Sequence, residues 1–73
     1  MAEPGGIQVS VNGEPLRVPA GSTVADVLRQ LALDRARVAV EHNLTVIKRA
    51  QYDGTQIQDG DQVEIVNFVG GGS

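Results

Sequence analysis

Residue type and spacing stand out most at the end of the chain. There three consecutive residues without side chains, Gly70, Gly71 and Gly72, precede a single hydroxyl residue, Ser73. Such a run offers only backbone and a terminal carboxylate, and by itself reads as a linker or frayed end as readily as a reactive tail. Other candidates for chemistry are few. His42 stands beside a turn with no second histidine and no cysteine in the chain, so no metal site is expected. Asp59 and Asp61 flank Gly60, but two carboxylates without the other oxygen ligands of a calcium loop read as a turn. Ser10, Ser22 and Thr23 lack a His–Asp partnership and there is no cysteine, which leaves no activated nucleophile.

The elements that must carry the tail follow from periodicity. Ile7, Val9 and Val11 alternate with polar residues over Ile7–Val11, which predicts a strand with one apolar face. Asn12-Gly13 predicts a tight hairpin turn and Leu16 and Val18 a returning strand, with Pro15 favouring a place at the sheet edge. Thr23, with Asp26 three residues later, predicts a capped helix start. Val24, Val27, Leu28 and Leu31 then form the buried stripe of a helix of about ten residues. Arg37–Glu41 reads as an interior strand, His42-Asn43-Leu44 as a turn, and Thr45-Val46-Ile47 as a short strand. Lys48–Tyr52 reads as one helical turn and Gln62–Phe68 as the last strand. On that strand Val63 and Ile65 share one face, and Glu64, Val66 and Phe68 the other. The pattern defines an α+β fold with its helix on one face of a sheet.

Seventy-three residues make one domain that buries roughly 60% of its unfolded surface, with little room for an enclosed active site. Without cysteine, stability must come from one apolar core. A net charge of −3, six scattered basic residues and only two aromatics, Tyr52 and Phe68, argue against nucleic-acid binding. The opening Met1-Ala2-Glu3-Pro4-Gly5-Gly6 lacks the features of a signal peptide, and no apolar run reaches membrane-spanning length. A cytoplasmic protein without membrane or nucleic-acid partners is therefore expected.

Taken in order, several segments resemble the ThiS family of thiamine-biosynthesis sulfur carriers over nearly the whole length. They are Val9-Ser10-Val11-Asn12-Gly13-Glu14, Gly21-Ser22-Thr23-Val24-Ala25-Asp26-Val27-Leu28, Val38-Ala39-Val40-Glu41, Ile47-Lys48-Arg49 leading to Tyr52, Asp59-Gly60-Asp61-Gln62-Val63-Glu64-Ile65-Val66 and Val69-Gly70-Gly71-Gly72. The resemblance implies a ubiquitin-like β-grasp body, a mixed sheet of four to five strands on one helix, over residues 1–69, with a flexible glycine tail over 70–73. It also implies a protein substrate rather than an enzyme, with no bound cofactor. A ThiF-type adenylating enzyme would use ATP to activate the Gly72 carboxylate. A sulfur donor such as a cysteine desulfurase would convert it to a thiocarboxylate, and a ThiG-type thiazole synthase would receive the sulfur. Glycine suits the tail because it lacks Cβ bulk and φ restriction. Four extended residues reach roughly 13–14 Å into a partner. Val66 and Phe68, beside the tail, are the first choice for a docking surface, although Phe68 also suits the edge of a small core.

Ser73 departs from the family pattern, because the reactive carboxylate belongs to the last glycine. Removal of Ser73 by a protease, an artificial or allelic addition, and an inactive tail are the competing explanations. Fold and tail also suit a MoaD-type carrier for molybdopterin, a carrier for cysteine or another sulfur metabolite, or a ubiquitin-like modifier. Lys48 as the only lysine argues against ubiquitin-style chain building.

Overall fold

Residues 6–68 are described by a computed structural model. The tail residues Gly70, Gly71, Gly72 and Ser73, and with them the boundary placed at residue 69, lie outside the described residues. Strand β1 (Gly6–Val11) pairs antiparallel with β2 (Glu14–Pro19), Ile7 opposite Val18 and Val9 opposite Leu16. Asn12 and Gly13 turn the chain with φ of 51° and 85°. Two positive φ values in a two-residue loop match the right-handed twist of the flanking strands, which is why Asn-Gly suits this turn. Pro15 lies in the edge strand, where its missing N–H costs no rung of the ladder.

Helix α1 (Val24–Gln30) begins at Thr23 with the expected capping box. Thr23 Oγ1 accepts from the Asp26 N–H at 3.2 Å, while Asp26 Oδ2 accepts from the Thr23 N–H at 2.9 Å. The helix is seven residues long rather than about ten. It stops because Ala32 enters the left-handed region at φ 59°. The Leu33 N–H then bonds the Leu28 carbonyl at 2.9 Å and the Ala32 N–H the Arg29 carbonyl at 3.0 Å. These two bonds form a Schellman close built on alanine instead of glycine.

A 3-10 turn over Arg35–Arg37, capped by Asp34, displaces the start of β3 to Val38, so that β3 spans Val38–His42. Strand β4 (Thr45–Ile47) returns across a two-residue turn, and a second 3-10 turn (Arg49–Gln51) leads towards β5 (Gln62–Asn67). The sheet order is β2-β1-β5-β3-β4, with β1 and β5 parallel and the other pairs antiparallel. One sheet face and the helix enclose Val9, Val18, Val24, Val27, Leu28, Val38, Val40, Val63 and Ile65, completed by Tyr52 and Ile57. The buried Tyr52 hydroxyl donates to the Val38 carbonyl at 3.3 Å, which avoids an unpaired polar group in the core.

Candidate functional site

Alternation on β5 divides the sheet as its sequence predicts. Val63 and Ile65 point into the core, whereas Val66 keeps 59% of its surface exposed and Phe68 50%. Phe68 is held at its backbone, where its N–H donates to the Arg37 carbonyl at 2.7 Å, while the ring stays half in solvent. The backbone at the root of the tail is thus tied to the start of β3, and the apolar side chains beside it remain open.

Register extends this exposed surface beyond β5. Ala39 pairs with Val66, and Glu41 pairs with Glu64 on one side and Val46 on the other, so all five side chains share the sheet face turned away from the helix. Val46 is 70% exposed, and Leu44, in the turn at the end of the β3–β4 hairpin, is 79% exposed. Sequence reasoning singled out Val66 and Phe68 and missed Val46. The signal was present, because a three-residue strand that buries Ile47 must turn Val46 outward. Leu44 is also unusual in backbone geometry, with φ at 72° after Asn43 at 51°.

The remaining polar candidates form structural connections. His42 is not a free turn residue: its Nε2 lies 2.7 Å from Asp61 Oδ2, with both side chains largely buried. Asp61 also accepts from the Gln58 N–H at 2.8 Å and from Asn43 Nδ2 at 3.2 Å. Burial pushes the Asp61 carboxyl up, but these hydrogen bonds hold it below the ordinary carboxylate value. Asp59 accepts from the Gln8 N–H at 2.9 Å and so acts as part of a turn. Among the described residues, no cluster of three or more His, Asp or Glu side chains is arranged to hold a metal ion. A shallow depression lined by Gln8, Ser10, Pro15 and Gly60 has no ionisable side chain to perform acid–base work.

A five-stranded mixed sheet crossed by one helix, with the last strand inserted beside the first, places the molecule among the ubiquitin-like β-grasp proteins. The chain belongs to the ThiS family, whose model matches residues 6–72. It is 32% identical to the sulfur carrier protein ThiS of Escherichia coli, over 90% of this chain and the whole of that one. The crystal structure of a thiamine biosynthesis protein (ThiS) from Geobacter metallireducens superposes with a TM-score of 0.74 at 36% identity, covering 88% of this chain and 97% of that one. A thiazole synthase of Paramagnetospirillum magneticum is 40% identical over 92% of this chain, which spans only 21% of that protein's length. No helix among the described residues is long and apolar enough to cross a membrane.

Proposed function

We propose that this protein is a sulfur carrier for thiamine thiazole synthesis whose Gly72 carboxylate is the group that other enzymes modify. The observation that carries this reading is the extent of the family match, which runs through the glycines to Gly72 and leaves out Ser73. A carboxylate is a poor electrophile at neutral pH. Joining it to AMP, with pyrophosphate as the leaving group, creates an acyl adenylate. The donor's persulfide sulfur attacks its carbonyl carbon and expels AMP, and a thiol then reduces the resulting acyl disulfide, becoming part of a disulfide itself, to leave a thiocarboxylate. The carrier supplies no catalytic group. Its part is to dock and to deliver a chain end narrow enough to enter a partner's channel.

The partners in this reading are a ThiF-type adenylating enzyme, a sulfur donor such as a cysteine desulfurase, and a ThiG-type synthase that takes the sulfur. Thiazole synthases that contain a segment similar to this chain support the last of these. Val66 and Phe68, joined by Val46, are the docking surface, since exposed branched and aromatic side chains gain most from being covered by a partner. The form ending at Ser73 becomes competent once a protease exposes Gly72.

Intact mass provides the test. The protein ending at Gly72 and the form ending at Ser73 are each incubated with ATP, an adenylating enzyme and a sulfur donor. Exchange of one oxygen for sulfur on the Gly72 form alone is the expected result. No exchange on either form overturns the proposal, and conjugates through a lysine side chain would reassign the protein as a modifier.

A further inference from the structure

Charge is distributed unevenly along the sheet. Four of the six basic residues, Arg35, Arg37, Lys48 and Arg49, fall in two segments far apart in sequence that the fold brings together. The Arg35 guanidinium donates to the Arg49 carbonyl at 3.1 Å, and Arg49 in return donates to the carbonyls of Arg35 and Ala36, each at 3.3 Å. Among the described residues, two carboxylates pair with this group: Asp53, bound by Arg35 through two hydrogen bonds, and Asp34, 3.6 Å from Arg37. Lys48 and Arg49 are exposed and form no ion pair among the described residues.

This local excess of positive charge sits in a chain whose formal net charge is −3. It lies at the end of the sheet where Phe68 bonds Arg37, the end from which the chain continues to the glycines. Antiparallel pairing fixes the opposite end as acidic. Asp59 and Asp61 precede β5 there, Asp61 bonding His42 at the far end of β3. Glu41 and Glu64, directly opposed across β3 and β5, add negative charge between the two ends of the exposed face.

We infer that the Arg37, Lys48 and Arg49 end is an electrostatic docking surface for an acidic protein rim around the channel that receives the tail. The inference rests on the carrier function proposed above and names the charge of its partner. A molecule of net negative charge approaching an acidic rim is attracted only through this end, so the field orients the glycines towards the channel before contact. Exposed rim charges of this kind set the association rate and its salt dependence more than the strength of the final complex. Arg35 and Arg49 also brace the fold through their carbonyl contacts, whereas Lys48 and Arg37 are the separable contributors.

The test uses the form ending at Gly72 and compares the parent with Lys48→Glu, Arg37→Glu and the double variant, measuring adenylation as kcat and KM from about 20 to 500 mM salt. Thermal melting and circular dichroism confirm that each variant is folded, and Lys48→Arg serves as the charge-conserving control. The expected result is an approximately tenfold or larger loss of kcat/KM in the double variant at low salt, carried by KM with kcat unchanged. The parent's salt dependence should be reduced in the variant and retained in Lys48→Arg. Folded variants with the parent's kcat/KM and salt slope overturn the inference while leaving the carrier function intact. Failure of the parent itself to be adenylated defeats the carrier reading instead. Tighter retention of the parent than of the double variant on single-stranded RNA, without any effect on adenylation, would assign the surface to nucleic acid and also overturn it.

Discussion

The carboxamide of Asn12 is bonded to both backbone polar groups of Ile65. Its Nδ2 donates to the Ile65 carbonyl at 3.1 Å and its Oδ1 accepts from the Ile65 N–H at 2.7 Å. The side chain thereby extends the parallel ladder between β1 and β5 by one rung beyond Val11, where the hairpin has already turned the main chain away. Asn12→Gly keeps the positive φ of the turn and removes only this pairing. The expected loss is about 1–3 kcal/mol, because two backbone groups beside a buried residue lose their partner. Urea unfolding midpoints measure it, and a glycine variant as stable as the parent would show that the turn geometry alone accounts for Asn12.

Ala32 closes α1 at φ 59°, a conformation that costs residues with a Cβ roughly 1–2 kcal/mol and glycine little. Ala32→Gly should therefore raise stability by about 0.5–1 kcal/mol, after allowing for the greater freedom of glycine in the unfolded chain. For a domain of this size that corresponds to a few degrees in Tm. A scanning calorimetry trace with an unchanged or lowered Tm would argue against the left-handed close as a source of strain.

Asp61 links the proton balance to stability. Its carboxyl is held below its ordinary value of 3.8 in the folded protein, so its contribution is complete above the unfolded-state value and is lost as pH falls through the folded one. Asp61→Asn should lower stability at pH 7 by about 1–3 kcal/mol and flatten the decline below about pH 4. Unfolding curves at pH 7, 4 and 3 test this. Parallel loss of stability in parent and variant through that window would remove Asp61 as a source of the acid sensitivity.

Val66 and Phe68 leave half or more of their surface in solvent and lie outside the core, so polar replacements there should leave the protein folded. Val66→Asp and Phe68→Ser are expected to cost about 1 kcal/mol, the share of burial that half-exposed side chains lose. Both should reduce sulfur loading by about ten- to a hundredfold through KM, the range for an anchor residue in an interface. Loading at the parental rate in either variant would move the docking surface elsewhere.

Replacement of Gly72 by Val in the form ending at that residue should leave Tm unchanged and abolish oxygen-for-sulfur exchange in intact mass spectra. Retained exchange would count against a channel that admits only a residue without a side chain.

The hairpin, the capped helix start, the five strands and the inward faces of Val9, Val24, Val27, Leu28, Val63 and Ile65 were legible from local pattern. Each depends on alternation, helical spacing or a turn residue whose effect reaches only a few positions along the chain. The shorter helix was not, because nothing in Leu31-Ala32-Leu33 marks Ala32 for a left-handed conformation. Packing Leu33 back onto the core selects it.

The exposure of Val66 and Phe68 was legible in sequence because the two alternate with the inward Val63 and Ile65 along one run. Val46 joined them only through the pairing of both β4 and β5 with β3. His42 and Asp61, Asn12 and Ile65, and the basic group of Arg35, Arg37, Lys48 and Arg49 likewise became partners only in three dimensions. Sequence by itself determined the elements, since they are properties of neighbouring residues. Tertiary structure alone decided which side chains separated by 13 to 53 positions would meet, because that is set by strand order and register.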